Sequence, residues 1–144
     1  MTYLLDVNVL IALLDPAHIG HDAAHIWFRD EGSKSWATCP ITENGVVRII
    51  GHPRYPNSIG SPAAAAPILG RMRALPGHVF WKDELTLVGS ELIDTTEIMT
   101  PAQVTDTYLL ALAVANGGRL ATFDRRLSTK AVRNGRAALC MIGA

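Results

Sequence analysis

Thr2-Tyr3-Leu4-Leu5-Asp6-Val7-Asn8-Val9-Leu10-Ile11-Ala12-Leu13-Leu14 places two apolar runs on either side of one acid. The first run is short and suits a strand, while the second is long enough for a buried helix, so Asp6 falls at a strand-to-helix junction. Working outward, the same order repeats. His21 to Glu31 carries Ala24, Trp27 and Phe28 at helical spacing and is closed by Gly32. Ser35 to Thr38 reads as a strand, and Pro40 opens a helix through Glu43, Val46, Val47 and Ile50 that stops near Gly51 and Pro53. Pro53 to Pro62 is a loop by its Pro, Gly, Asn and Ser content. Pro62 to Leu75 is Ala-rich and helical, with Pro62 tolerated in the first turn and Pro67 marking a kink or a late start.

His78 to Trp81 reads as a third strand, and Lys82 to Met99 stays unassigned. Thr100-Pro101-Ala102-Gln103 offers a capping Thr, Pro at the first helical position and Gln three residues after the cap. The helix it predicts runs to about Asn116 and ends at Gly117-Gly118. Arg119 to Thr122 follows as a strand, Asp124 to Val132 as a short helix and Ala138 to Ile142 as a last strand. Strands alternating with helices predict an α/β fold, a three-layer α/β/α arrangement with a mainly parallel central sheet. At 144 residues the expectation is one domain, spanning 1–144.

Hydrophobic residues make up 49% and charged residues 18%, which excludes a disordered tail or a fibrous protein. Basic and acidic residues balance at 13 each, so net charge names no partner. Val7 to Leu14 is far short of the roughly 18 apolar residues of a membrane span. No basic segment precedes it, so neither an anchor nor an export signal is expected. Two cysteines, Cys39 and Cys140, make a disulfide framework improbable on composition and point to a reducing cytoplasm, both thiols serving as small core residues.

Ligands of parallel α/β sheets bind beyond the carboxyl ends of the strands, and Asp6, Glu43 and Asp124 all fall at such exits. On the Thr100 helix Asp106 shares a face with Leu109, Leu110 and Ala113, and on the Pro40 helix Glu43 shares one with Val46, Val47 and Ile50. Acids on core-facing stripes are rarely buried unless paired or metal-bound. Helix capping and the macrodipole account for Asp6 or Asp124 taken singly, but less well for Asp106, six residues beyond the expected cap. If the four converge, two carboxylates about 4 Å apart repel by roughly 4 kcal/mol at an effective dielectric of about 20. Either some protonate or a divalent cation neutralises them. With only oxygen ligands the ion would be hard, Mg²⁺ or Mn²⁺, and suited to phosphodiester chemistry.

Leu5-Asp6-Val7-Asn8-Val9-Leu10, Ile41-Thr42-Glu43, Val104-Thr105-Asp106 with Leu109-Leu110-Ala111-Leu112-Ala113, and Gly118-Arg119-Leu120-Ala121-Thr122-Phe123-Asp124 occur in that order. Together they resemble a PIN domain, and within it the VapC-type toxins of bacterial and archaeal toxin–antitoxin pairs. The resemblance extends from Leu5 to Asp124 and is weakest between about Gly51 and Thr96. It implies a metal-dependent endoribonuclease that leaves a 5′-phosphate and a 3′-hydroxyl. Asp6, Glu43, Asp106 and Asp124 match the acidic quartet, with Asp6 and Asp106 as direct metal ligands and Glu43 and Asp124 ligating directly or through water. Asn8 and Thr122 match polar positions that support the quartet, although local capping or turn hydrogen bonds explain them equally well. The resemblance also implies a homodimer and a cognate VapB-type antitoxin that occludes the site.

Six of the 13 basic residues, Arg119, Arg125, Arg126, Lys130, Arg133 and Arg136, lie within residues 119–136 around one acid, Asp124. Such a segment beside a metal-site carboxylate suits an RNA backbone, and an ordinary solvated face fits it equally well; Arg119, Arg125, Arg126 and Lys130 are the candidate RNA contacts. His18, His21 and His25 share helical spacing but lack the partners of a zinc site. Trp27, Trp36 and Trp81 lie in apolar stretches, where packing is a better account than base stacking. A haloacid-dehalogenase-like phosphatase would need a second Asp two residues after Asp6, where Asn8 stands. A PIN-like module that binds RNA or protein without cutting is the remaining alternative, disfavoured by the intact quartet.

Overall fold

The computed structural model describes residues 1–143. Its five strands are β1 (Tyr3–Leu5), β2 (Trp36–Thr38), β3 (His78–Phe80), β4 (Arg119–Thr122) and β5 (Leu139–Met141). Five helices accompany them: α1 (Val7–Leu14), α2 (His21–Asp30), α3 (Pro40–Ile50), α4 (Pro62–Arg73) and α5 (Gln103–Ala115). The strands form one sheet in the order β3-β2-β1-β4-β5, and every pairing is parallel.

Side-chain alternation along the strands divides the core between the two faces of this sheet. Leu4, Ala37 and Leu120 pack on one face with Leu109, Leu110 and Leu112 of α5. Leu5, Trp36 and Ala121 pack on the other with Val9 and Leu10 of α1, Val46 of α3 and Met72 of α4. The three-layer α/β/α arrangement expected from the alternating elements follows directly. The chain builds outward from β1 through β2 to β3, then crosses back to lay β4 on the other side of β1. That reversal creates the crevice where parallel sheets hold ligands. Asp6 leaves β1 and Asp124 follows β4, so the two acids stand on its two sides.

Two segments differ from expectation. Asp124 to Val132 is a run of turns, not a helix. The Asp124 carboxylate accepts the Arg126 N–H at 2.9 Å, a local bond that competes with helical pairing. Farther on, Val132 bridges Ile93, Asp94 N–H donates to the Ala131 carbonyl, and Arg133 N–H donates to the Leu92 carbonyl. Part of the unassigned segment 82–99 thereby draws residues 131–133 into extended pairing. In α5 the helix starts at Gln103, not directly after Thr100. Thr100-Pro101-Ala102 closes tight turns, with Gln103 N–H on the Thr100 carbonyl, and the Gln103 side chain accepts the Met99 N–H. Asp106 consequently lies in the first turn of α5, where the macrodipole favours an acid.

The other end of α5 behaves as its glycines predict. Gly117 has φ of +67°, its N–H donates to the Val114 carbonyl, and the Gly118 N–H donates to the Ala113 carbonyl. This is a Schellman ending, with the left-handed residue directly after the cap. A Cβ at Gly118 would clash with the Thr2 carbonyl oxygen and meet Trp81 Cη2 at 2.7 Å. Gly118→Ala is therefore expected to lower unfolding stability by about 1–3 kcal/mol, the usual cost of overpacking. Gly117→Asn, which tolerates the left-handed region, should lose less; urea denaturation of the two variants checks the order.

Candidate active site

Asp6 is 7% exposed and directly follows β1. One carboxylate oxygen accepts the Val7 N–H at 2.8 Å and so caps α1; the other accepts the Thr122 hydroxyl at 2.7 Å. Burial pushes its pKa up, these two hydrogen bonds oppose that, and the charge of Asp124 adds to the rise. Thr122 has one hydroxyl proton, directed at Asp6, and its oxygen accepts the Asp124 N–H at 3.0 Å and the Asn8 amide at 3.3 Å. Asn8 returns to the same loop by accepting the Phe123 N–H. Thr122 and Asn8 thus join the exits of β1 and β4. With both ends of its amide engaged, Asn8 acts as a brace and offers nothing resembling the second aspartate of a phosphatase.

Asp106 projects from the first turn of α5, and among the described residues no side-chain or backbone donor reaches its carboxylate. Its pKa is pushed up to about 6, first by burial and then by the charges of Asp6 and Asp124. Asp6, Asp106 and Asp124 are therefore brought together, each contributed by a different element.

Glu43 occupies the first turn of α3, beyond the carboxyl end of β2, and has surroundings of its own. Its carboxylate accepts the Thr38 hydroxyl at 2.6 Å and pairs with Arg73, at 3.3 Å from Nε and 3.4 Å from Nη1. His78 Nε2 lies 2.7 Å from the same Thr38 hydroxyl. Since Thr38 spends its proton on Glu43, we assign the proton of this contact to His78 Nε2. Burial and the Arg73 charge hold the His78 pKa down, and Glu43 opposes them. The charges that raise Asp106 are Asp6 and Asp124, and Glu43 is not one of them. Neither Arg73 nor His78 announces itself in sequence, since both lie in the segment that carries least of the motif.

Asp6, Asp106 and Asp124 offer only oxygen donors, and Asp106 has no competing hydrogen bond. Both features fit a hard divalent cation. Among the described residues no three His, Cys, Asp or Glu side chains already close into a coordination shell. The histidines have another use: His21 Nδ1 lies 2.7 Å from the Ala12 carbonyl and His25 Nε2 lies 3.0 Å from the Leu13 carbonyl. They satisfy orphan acceptors at the end of α1, and His18 accepts the Gly20 N–H. Trp36 and Trp81 are buried and Trp27 is half-buried against Tyr3, in keeping with packing. Cys39 is buried, Cys140 is half-buried, and both are free thiols.

The basic segment is split by the sheet. Arg125, Arg126 and Lys130 are exposed beyond the carboxyl end of β4, with Arg125 donating to the Gly143 carbonyl. Arg119 opens β4 opposite Tyr3, at the other edge of the sheet, and is not brought together with the carboxylates. A further cluster had no signal in the sequence. Asp15, at the end of α1, accepts the Tyr55 hydroxyl at 2.5 Å, the Asn57 amide at 2.6 Å and the Ala17 N–H at 2.9 Å. Burial works to raise its pKa, and these bonds outweigh it and leave it lowered. Burial and the Asp15 contact push Tyr55 up to about 12. The cluster ties the 51–60 loop to α1 and takes no part in the acidic site.

Because the folded-state pKa of Asp106 exceeds the unfolded carboxylate value of about 4, the folded chain binds this proton more tightly. The cost of ionising Asp106 is absent below the unfolded value and complete once pH has risen through about 6. Asp106→Asn should therefore raise the metal-free melting temperature at pH 7.5 and leave it unchanged near pH 4 (about the unfolded carboxylate pKa). Mn²⁺ should stabilise the wild type at the higher pH and the variant much less. Melting curves with and without the ion at both pH values check this.

Comparison with known proteins identifies the family. The PIN domain matches residues 3–132. Ribonuclease VapC44 of Mycobacterium tuberculosis is 47% identical over 132 residues, covering 92% of each chain. Ribonuclease VapC39 of the same organism is 46% identical over 131 residues, covering 91% of this chain and 94% of its own. Among solved structures, VapBC2 from Rickettsia felis, bound to a DNA fragment from its promoter, has a chain that superposes with a TM-score of 0.60 at 13% identity, covering 99% of both chains, a likeness of fold. With that match covering residues 3–132, the chain belongs to the PIN domain family.

Proposed function

We propose that this protein is a divalent-metal-dependent endoribonuclease, the toxin of a toxin–antitoxin pair, and that Asp6, Asp106 and Asp124 hold the ion. The observation that carries the reading is Asp106: a carboxylate with no donor, pushed up to about 6 by burial and by two neighbouring acids. Such a cluster is costly for the apo fold and becomes favourable when it binds a cation. The substrate class comes from the relatives, which are named ribonucleases and align over about nine-tenths of the chain.

When bound, a divalent cation supplies positive charge to a phosphate oxygen and to an attacking water. The protein supplies the geometry. Thr122 fixes one oxygen of Asp6 and the Val7 N–H fixes the other, leaving their remaining lone pairs available. Asp124 is steadied through its backbone on Thr122 and through its carboxylate on Arg126 N–H. Glu43, held by Thr38 and Arg73, would accept a proton or a water at the end of β2. Both Mg²⁺ and Mn²⁺ suit these oxygen ligands. The proposed protein partner is a VapB-type antitoxin, in line with the VapBC complex that shares the fold.

Purified protein, freed of any antitoxin, should cleave RNA with Mg²⁺ or Mn²⁺ and stop on EDTA addition. Thr122→Val should slow cleavage by about 10–100-fold, the usual effect of losing a residue that orients a ligand, and Asp6→Ala by more. Denaturing gels of time courses give the rates. Full activity in Asp106→Asn would remove Asp106 from the ligand set.

A further inference from the structure

The Arg73 guanidinium makes two contacts at once. On one side it pairs with Glu43, and on the other its Cζ lies 5.2 Å from the centre of the Phe80 ring. Phe80 closes β3 in register with Thr38, the residue that holds Glu43. The neighbouring Trp81 turns into the core, where it is 8% exposed, while Phe80 is 41% exposed and the Arg73 side chain likewise 41%. A cavity of about 200 Å³ between α3 and α4 has Glu43, Asn44 and Arg73 among its walls, and Phe80 borders a separate cavity with Trp81 and Lys82. An exposed ring ending an edge strand is poorly explained by folding, which would favour a polar residue there.

The same pair suits a single-stranded nucleic acid. Proteins bind such strands by stacking bases on aromatic rings and neutralising the adjoining phosphates with basic side chains. Arginine provides a planar fork for a phosphate and can remain over a ring while it does so. Glu43 now orients that fork, through contacts of 3.3 and 3.4 Å that are long for a charge-assisted pair and leave the other guanidinium donors free.

We propose that Arg73 and Phe80 form a nucleotide subsite for single-stranded RNA beside Glu43, with Phe80 stacking one base and Arg73 contacting its phosphate. The assignment rests on the ribonuclease reading for the identity of the strand, and it places substrate binding on the β3 side of the site, across from the basic loop after β4. Val79 and Phe80 together also form an apolar edge that a second copy of the chain could cover, which the test separates.

The measurement is fluorescence anisotropy of a short labelled single-stranded RNA of mixed sequence, titrated with the full chain in EDTA so that cleavage plays no part. Phe80→Ala should weaken binding by about tenfold, the scale of one lost stacking contact, and Phe80→Tyr should restore it. Arg73→Ala should weaken binding and flatten the slope of log affinity against log salt by about 0.7, one phosphate contact on a single strand. In Mg²⁺, Phe80→Ala should raise KM and leave kcat near wild type. Wild-type affinity and salt slope in both folded variants, with cleavage by the parent intact, would overturn the subsite and leave the ribonuclease reading standing. A fall in kcat alone for Arg73→Ala would also overturn it, reducing Arg73 to a support for Glu43. So would a change in oligomeric state of Phe80→Ala by light scattering at unaltered RNA affinity. A parent that cuts no RNA under any divalent ion condemns the underlying reading instead.

Discussion

The candidate site depends on one constraint: Asp106 is held half-buried, within reach of the charges of Asp6 and Asp124. Carboxylates oppose one another by roughly 4 kcal/mol when they come within about 4 Å in partly screened surroundings, against a total stability of about 5–15 kcal/mol for a typical domain. A chain that gathers three needs compensation close by. Asp6 receives it from the Val7 N–H and the Thr122 hydroxyl. Helix placement supplies another part: Asp6 caps α1, Glu43 lies in the first turn of α3 and Asp106 in the first turn of α5. Each acid thus meets the positive end of a helix. The parallel sheet makes this possible, because every helix that follows a strand begins at the same edge.

Glu43 stands apart from the trio in how its charge is handled. Three donors share its carboxylate, the Thr38 hydroxyl and two nitrogens of Arg73, whereas Asp106 has none among the described residues. The candidate site accordingly has two halves. Among the described residues no side-chain cation pairs with the three aspartates, which is the condition for attracting a metal ion. The glutamate half carries its own cation and can meet a phosphate without prohibitive repulsion. A site that must hold a positive ion and a polyanionic substrate within a few ångströms benefits from that division.

The strand-helix alternation was legible, and the four acids stood out as candidates, because each rests on short-range patterns. Apolar runs set the strands, helical spacing set α2, α3 and α5, and Gly117-Gly118 ended α5 as its carbonyl pairing requires. Asp124 to Val132 misled because its spacing is helical while its partners lie forty residues away, at Leu92 to Asp94. Thr100 misled because Pro101 fits a tight turn as well as it fits a first helical position. Thr38, Arg73 and His78 were invisible for a different reason. Their importance lies in contacts across 5 to 40 positions, and nothing about a lone Thr, Arg or His marks it.

The same distinction decides how the balance of 13 basic and 13 acidic residues is read. Counted along the chain, the basic residues concentrate in 119–136 and read as one patch. Folding separates them: Arg119 enters the sheet at one edge while Arg125 and Arg126 leave beyond the other, with the whole length of β4 between. Strand length converts a cluster in sequence into opposite poles in space, at about 3.3 Å per residue. Arg73, from a segment with no basic run on the scale of 119–136, arrives at the acidic edge because α4 and β3 deliver it there, over Phe80 and against Glu43. In a parallel α/β protein, the cations that matter to the site are those set down at the carboxyl edge of the sheet, whatever their density along the chain.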